Sequence, residues 1–161
     1  MNIKHMYLAG GCFWGLQELF RKQIGVITTR AGYTGGEIEN PTYHNHKGHA
    51  EALMITYDTS LTGFKELLRY FFRVHNPTTL NQQGNDIGSG YRSAIFYQDK
   101  QEYNMSKGVI AIVSASGKWK NKVVTSLEPF SLFWDAEGVH QDYLQKNPFG
   151  YTCHVEYFDK Y

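Results

Sequence analysis

The segment that decides the fold is Lys4-His5-Met6-Tyr7-Leu8-Ala9-Gly10-Gly11-Cys12-Phe13-Trp14-Gly15-Leu16. Its first part, residues 4–9, predicts a short strand, and this strand runs straight into two glycines. Apolar residues then recur at the spacing of one helical face, which predicts a helix over residues 13–22. The segment therefore places Cys12 at the junction between the end of a strand and the start of a helix.

Outward from this junction, strands and helices intermix without a regular repeat. Further strands are predicted at residues 26–33, 52–57, 93–97 and 122–127, and further helices at residues 61–74, 100–115 and 140–146. Asp58-Thr59-Ser60 supplies residue types that commonly cap a helix, just before residue 61. This order favours an α+β fold with one mixed, mainly antiparallel sheet and helices packed against it. Two long polar loops, residues 37–50 and 76–92, are the segments that we expect to carry function.

Length and composition bound the class of protein. The 161 residues are enough for a single domain, residues 1–161, that buries a real core. The 16 basic and 15 acidic residues nearly cancel, which argues against nucleic acid as a partner. No stretch approaches the roughly 20 apolar residues that span a bilayer, and the first residues are too polar for a signal peptide. We therefore expect a cytoplasmic protein whose two cysteines, Cys12 and Cys153, are free thiols or form a transient catalytic disulfide.

Cys12 has the sequence context of a reactive thiol. A helix start offers unpaired N–H groups and a partial positive charge, and both favour the thiolate, which is the nucleophilic form. The flanking glycines allow a tight bend and a close approach of substrate. Phe13 and Trp14 would provide an aromatic wall for an apolar group. The alternative is a buried, inert cysteine that packs as a small apolar residue.

Glu51 is a candidate proton donor. By strand alternation it shares a face with Leu53 and Ile55, so the carboxyl group would lose solvation and its pKa would rise toward neutrality. The alternative is an ordinary exposed glutamate at the end of a strand. Asp86 lies among glycines in the second loop, where an aspartate usually serves a turn.

A metal site is a further possibility in the first loop. His44, His46, His49 and Glu51 lie within eight residues, and Cys12 or Cys153 could complete a zinc site. The spacing matches no common zinc motif, however, and surface loops hold histidines freely.

Several segments, in collinear order, resemble the A-type peptide methionine sulfoxide reductases. They are Gly11-Cys12-Phe13-Trp14-Gly15, Ala31-Gly32-Tyr33-Thr34-Gly35-Gly36, Asn40-Pro41-Thr42-Tyr43, Gly48-His49-Ala50-Glu51, His75-Asn76-Pro77-Thr78, Gly84-Asn85-Asp86, Tyr91-Arg92-Ser93 and Ala136-Glu137 with His140-Gln141. The resemblance covers nearly the whole chain, and the cysteine motif combined with Gly-His-Ala-Glu is highly specific. It implies an α+β fold with a ferredoxin-like core and an enzyme that repairs oxidative damage by reducing methionine S-sulfoxide, free or in proteins.

The resemblance also implies a role for individual residues. Cys12 becomes the catalytic cysteine and Glu51 the proton donor, while Tyr43 and Tyr91 bind the sulfoxide oxygen and Asp86 supports the site. Phe13 and Trp14 receive the methyl group of the substrate. Cys153 resembles one variant of the resolving cysteine. In this scheme Cys12 becomes a sulfenic acid, Cys153 converts it to a disulfide, and thioredoxin or another dithiol reduces that bond.

We expect a monomer that needs no metal and no organic cofactor. Three departures from the family pattern stand out: the loop between Tyr43 and Glu51 is shorter and rich in histidine, Gly90 replaces the usual glutamine, and Gln82 stands where arginine is common. Other classes of function remain open at this point. They are a cysteine hydrolase that pairs Cys12 with a histidine, a metal-binding regulatory module on the first loop, and an inactive protein that only binds methionine sulfoxide.

Overall fold

The computed structural model describes residues 2–161. Its strands are β1 (Ile3–Gly10), β2 (Val26–Thr34), β3 (Ala50–Asp58), β4 (Gln82–Gln83), β5 (Asp86–Ile87), β6 (Ser93–Tyr97), β7 (Ser126–Pro129) and β8 (Phe133–Asp135). Its helices are α1 (Phe13–Phe20), α2 (Phe64–Val74), α3 (Lys100–Ala115) and α4 (Tyr143–Lys146). Two short 3-10 turns, Ser89–Tyr91 and Gly138–His140, complete the described elements.

The six longer strands form one sheet in the order β7-β6-β1-β3-β2-β8. All neighbours in it are antiparallel except β6 and β7. The elements β1, α1, β2, β3, α2 and β6 follow one another as βαββαβ, and their strands lie in the order β6-β1-β3-β2. This is the split βαβ arrangement of a ferredoxin-like fold. The predicted α+β class with a mainly antiparallel sheet is thus confirmed.

The core lies between one face of the sheet and the three longer helices. Helix α2 alone contributes Leu68, Phe71 and Phe72, each fully buried. Burial of a side chain of this size contributes about 2–3 kcal/mol. The opposite face of the sheet is covered by the segment after β7, where the ring of Phe130 stacks on Tyr7 with 3.9 Å between ring centroids. Because both faces are covered, strand β3 is buried along almost its whole length.

Some predicted boundaries are wrong, each for a local reason. The helix predicted from residue 61 begins at Phe64, after Gly63. Asp58 is not a helix cap, because its carboxylate accepts bonds from the backbone N–H and the hydroxyl of Ser60 and closes a turn. This turn leaves Leu61, the first residue of the predicted helix, 63% exposed.

The C-terminal third shows the other differences. The strand predicted at residues 122–127 lies instead at Ser126–Pro129, where it pairs with β6 in parallel register. The three-residue strand β8 was not predicted, because it is too short to show an alternation of polar and apolar residues. The helix predicted at residues 140–146 is split, since Asp142 has a left-handed backbone (φ 53°) that separates the 3-10 turn from α4.

Candidate active site

Cys12 lies where the sequence predicts it, at the N-terminal cap of α1 directly after β1. The chain turns at Gly11, whose φ of 93° favours glycine. Gly10 also needs to lack a side chain, because a Cβ there would lie 2.8 Å from the Phe71 ring in the core. The Cys12 side chain is 4% exposed, so the thiol sits at the bottom of the site and not on the surface.

The protonation state of Cys12 differs from the prediction. Burial raises the pKa of the Cys12 thiol, and the nearby carboxylate of Glu51 raises it further. The backbone N–H of Trp14, in the first turn of α1, does lower the pKa, but burial outweighs it. The helix start therefore favours the thiolate as predicted, but burial and Glu51 outweigh it, so the pKa of Cys12 lies above its ordinary value and Cys12 is a neutral thiol in the free site.

Glu51 is fully buried near the start of β3, on the core face with Leu53 and Ile55. Its Oε1 accepts a hydrogen bond from the backbone N–H of Phe13 at 3.1 Å, which ties β3 to the first turn of α1. Its Oε2 is buried and has no hydrogen-bond partner among residues 2–161. This geometry rules out the exposed strand-end alternative.

The surroundings of Glu51 favour the neutral acid. Burial raises the pKa of Glu51 to about 8, the negative charge of Asp86 adds to this, and the Phe13 N–H opposes it. At neutral pH the carboxyl group therefore carries a proton, and its unpaired oxygen is available to give that proton to a substrate.

Two tyrosines reach the same place from the two long loops. Tyr43 belongs to the first loop, and Tyr91 ends the 3-10 turn that precedes β6. Burial raises the pKa of both hydroxyl groups, and the nearby charge of Glu51 raises it further. Both hydroxyl groups stay protonated at neutral pH, so both can donate hydrogen bonds.

Phe13 and Trp14 form an aromatic wall beside Cys12. Phe13 is fully buried, with its ring 5.6 Å from that of Tyr33. Trp14 is partly exposed and lies flat between Tyr143, at 3.8 Å between ring centroids, and Tyr43, at 6.3 Å. The predicted wall is present, and it is wider than the sequence suggested because Tyr43 and Tyr143 extend it.

Two acceptors that the sequence analysis did not assign hold this wall in place. Glu137 accepts the backbone N–H of Tyr43 at 2.9 Å and the hydroxyl of Tyr33 at 2.8 Å. His140 accepts the indole N–H of Trp14 at 3.1 Å, and its ring lies 4.4 Å from that of Tyr43. The signal that could have found them is the Ala136-Glu137 and His140-Gln141 motif, which the sequence analysis noted without a role.

Asp86 and Cys153 lie on the outer side of the site. The hydroxyl of Tyr151 donates to Asp86 Oδ2 at 3.2 Å, and the Cys153 Sγ lies 4.0 Å from the same oxygen. Cys153 is a free thiol, partly exposed, and close enough to Cys12 to contribute to the rise of the Cys12 pKa. Asp86 thus lies between the tyrosine pair and the C-terminal tail.

Two of the three histidines of the first loop, His46 and His49, use ring nitrogens in hydrogen bonds within the protein. His49 accepts the Gly36 N–H at Nδ1 and donates to the Ile38 carbonyl from Nε2, so both ring nitrogens are used. His46 donates to the Thr42 carbonyl, and its ring stacks on that of Tyr33 with 4.9 Å between ring centroids. Across residues 2–161, no group of three or more His, Cys, Asp or Glu side chains could hold a metal ion.

Two of the departures from the family pattern, the histidine-rich loop and Gly90, lie against each other in the structure. A Cβ at Gly90 would lie 3.1 Å from Nε2 of His46, so the histidine of the shortened loop occupies the room that a side chain at position 90 would need. The third departure, Gln82, stabilises the turn of the β4–β5 hairpin by donating to the Gly84 carbonyl at 3.0 Å.

Two further observations concern the competing classes of function. In the part of the chain from residue 2 onward, no histidine is hydrogen-bonded to Cys12, as a cysteine hydrolase would require. Over the same residues, no helix is long and apolar enough to cross a membrane.

Comparison with known proteins points in one direction. A family model described as peptide methionine sulfoxide reductase matches residues 4–160. The chain is 57% identical over 151 residues to a peptide methionine sulfoxide reductase MsrA of Mycobacterium sp. (strain MCS), covering 94% of this chain and 88% of the relative. Among solved structures it is similar to reduced Mxr1 from Saccharomyces cerevisiae, with a TM-score of 0.87, 36% identity, and coverage of 94% and 89%. It is also similar to Mxr1 in complex with Trx2, with a TM-score of 0.67, 26% identity, and coverage of 96% and 89%.

Proposed function

The chain belongs to the peptide methionine sulfoxide reductase family, and from this premise we propose how its own residues carry out the reaction. The enzyme is a thiol-dependent oxidoreductase that reduces methionine sulfoxide to methionine. Cys12 is the nucleophile and Glu51 the proton donor, and residues 1–161 act as one domain. The observation that carries the proposal is a buried, neutral carboxyl group with one free oxygen, in the same pocket as a buried thiol.

The substrate is held at three points. The S-methyl group lies against Phe13 and Trp14, and the oxygen accepts hydrogen bonds from the hydroxyl groups of Tyr43 and Tyr91. The sulfur then faces Cys12. The methyl group, the oxygen and the side of the sulfur that faces Cys12 are then all fixed, so only one configuration at sulfur fits. The family resemblance identifies that configuration as the S epimer.

The first half of the reaction transfers oxygen to Cys12. As the Cys12 sulfur attacks the sulfoxide sulfur, Glu51 gives its proton to the oxygen, and the proton that Cys12 loses restores the neutral carboxyl group. The tyrosine hydrogen bonds strengthen as charge builds on the oxygen. The S–S bond formed in this attack then breaks as the hydroxyl group passes from the substrate sulfur to the Cys12 sulfur, so methionine leaves and Cys12 is left as a sulfenic acid. The substrate sulfur has gained two electrons and the Cys12 sulfur has lost two.

The proton on Glu51 also makes the Cys12 thiol easier to ionise. The Glu51 carboxylate raises the pKa of Cys12, so Cys12 is easier to ionise when Glu51 is neutral. Glu51 therefore serves the reaction twice, since the proton that it holds both reaches the substrate and removes a negative charge from beside the thiol.

The second half of the reaction recycles Cys12. Cys153 attacks the sulfenic acid, a Cys12–Cys153 disulfide forms, and a dithiol protein of the thioredoxin type reduces it by thiol–disulfide exchange. Two observations support this order. Cys12 is 4% exposed whereas Cys153 is partly exposed, so an incoming protein reaches Cys153 first, and the similar protein Mxr1 is known in complex with Trx2. Asp86 supports the site beside Cys153, no metal or organic cofactor takes part, and the enzyme acts as a cytoplasmic monomer.

Two variants test the assignment, each as the control for the other. Cys12→Ser should release no methionine from a sulfoxide substrate, because the nucleophile is gone. Cys153→Ser should release about one methionine per enzyme in a single turnover and then fail to cycle with thioredoxin. Substantial methionine release by Cys12→Ser would refute the nucleophile assignment. Normal cycling by Cys153→Ser would refute the resolving role.

A further inference from the structure

The residue that follows Cys153 packs against the catalytic loop, which is the turn of residues 10–12 between β1 and α1. His154 is 5% exposed, although it belongs to the C-terminal tail. Its Nε2 donates to the backbone carbonyl of Gly10 at 2.6 Å, across 144 residues of sequence. Gly10 is the last residue of β1, two positions before Cys12. The tail is thus anchored on the segment that carries the nucleophile.

Gly15, three positions after Cys12, makes room for this imidazole. A Cβ at Gly15 would lie 2.5 Å from Nδ1 of His154, whereas a Cβ at Gly11 would be in ordinary contact with it, 3.4 Å from Nε2. The first of these distances is too short for any side chain. The Gly-Cys-Phe-Trp-Gly motif therefore does more than turn the chain, because it also forms a slot that the tail fills.

The hydrogen-bonding state of His154 shows what it contributes. Its Nδ1 is buried and has no partner among the residues that the structure describes. Burial also lowers the pKa of the ring, which keeps it neutral with its proton on Nε2. The unpaired Nδ1 costs stability, whereas an apolar side chain would fill the slot without leaving a nitrogen unsatisfied. What histidine adds is the donor to the Gly10 carbonyl.

A second anchor holds the tail on the other side of Cys153. The Tyr151 hydroxyl donates to Asp86 Oδ2 at 3.2 Å, and the Cys153 side chain packs on Gly84, where a Cβ would be 3.1 Å from its own. Cys153 therefore sits between one contact on the β4–β5 hairpin and one on the catalytic loop. Both contacts restrict where its sulfur can move.

We propose that His154 is a positioning residue for the second half of the reaction, which holds Cys153 in place to attack the sulfenic acid of Cys12. The inference rests on the proposed resolving role of Cys153. In the step, the Cys153 sulfur forms a bond to the Cys12 sulfur, the S–O bond of the sulfenic acid breaks, and the hydroxyl group leaves as water with the Cys153 proton. No other reactant is needed.

The advantage of the anchor is a high effective concentration of the second thiol. A free tail would spend much of its time away from Cys12, whereas an anchored one keeps Cys153 nearby at all times. Speed matters at this point, because a sulfenic acid that is not converted to the disulfide can be oxidised further to sulfinic acid, which is not readily reversed. His154 thus protects Cys12 during each catalytic cycle.

Two polar variants that differ by one methylene group test the proposal. Glutamine can place its amide N–H where Nε2 lies and keep the bond to Gly10, whereas asparagine is too short to reach it. Enzyme with both thiols reduced is mixed with one equivalent of sulfoxide and quenched over time. Methionine, a dimedone adduct of the sulfenic acid, and the Cys12–Cys153 disulfide are then measured by mass spectrometry.

His154→Asn should form the disulfide about tenfold more slowly relative to methionine release, so the sulfenic acid accumulates, and His154→Gln should restore most of the rate. Disulfide formation at the wild-type rate in His154→Asn would overturn the proposal. So would an equal slowing of both steps, since that indicates a general structural role at Cys12. These outcomes are separate from a failure of the resolving role, which Cys153→Ser alone reveals.

Discussion

Replacing Glu51 by glutamine tests the proton donor with little change in shape. The amide oxygen can still accept the Phe13 N–H that now bonds to Oε1 at 3.1 Å. The variant loses only the ability to hold and release a proton in the relevant pH range. The substitution should change the pH dependence of the free energy of unfolding and the rate of methionine release. The environment of Glu51 determines the direction of both changes.

The stability effect follows from the pKa of Glu51, which burial raises from 4.5 to about 8. Between these values the folded protein holds a proton at Glu51 and the unfolded chain does not. Folding is therefore favoured at the acidic end of the window, and the free energy of unfolding falls as pH rises. The slope is about 1.4 kcal/mol per pH unit, or roughly 2–3 kcal/mol from pH 5.5 to pH 7.5.

Urea unfolding of wild type and Glu51→Gln at several pH values measures this slope. The difference between the two free energies of unfolding should shift by roughly 2–3 kcal/mol in favour of the variant as pH rises through the window. The exposed Glu39 gives a control, and Glu39→Gln should run parallel to wild type. Parallel curves for wild type and Glu51→Gln would refute the buried, proton-bearing carboxyl group.

The rate effect has its own readout in single-turnover methionine release. Glu51→Gln should be slower by about a hundredfold or more, because general acid catalysis typically contributes that much. In the wild type, release should decline as pH rises through about 8, where Glu51 loses its proton. A wild-type rate that keeps rising above that pH would mean that another group supplies the proton.

Three further variants probe the supports of the site. Arg92→Met removes an ion pair in which the guanidinium donates two hydrogen bonds to the Glu128 carboxylate, at 2.9 and 3.0 Å. The variant should have a free energy of unfolding lower by about 1–3 kcal/mol and a higher KM for sulfoxide. Urea unfolding that matches the wild type would contradict this. Glu137→Gln weakens the acceptor of the Tyr43 N–H and should reduce kcat/KM about tenfold, which steady-state kinetics would show or disprove. Gly15→Ala crowds the tail slot and should slow thioredoxin-dependent cycling, and a wild-type cycling rate would count against the slot.

Local signals in the sequence predict much of the fold. The strand β6 and the helix α3 lie at the residues predicted, since α3 has a well-defined start where Asp99 accepts the N–H of Glu102 at 2.8 Å. The junction at Cys12 was predictable because two glycines separate a strand pattern from a helix pattern. Glu51 was placed on the correct face by alternation alone.

What the sequence could not show depends on contacts between distant residues. The raised pKa of Cys12 arises from burial and from a carboxyl group 39 positions away, and both outweigh the helix start that local reasoning can see. The insertion of His154 beside Gly10 has no local signature at all. The late start of α2 has a local cause, because Asp58 and Ser60 are residue types that suit either a turn or a helix cap, and here they form a turn.

The proposed function depends on the reduction of one epimer of methionine sulfoxide by Cys12. An epimer-resolved assay with separate S and R sulfoxides, thioredoxin and either wild-type or Cys12→Ser enzyme measures this step. We expect the wild type to convert the S epimer to methionine and to leave the R epimer unchanged, and we expect Cys12→Ser to convert neither. Reduction of the R epimer, or of the S epimer by Cys12→Ser, would contradict the proposed function.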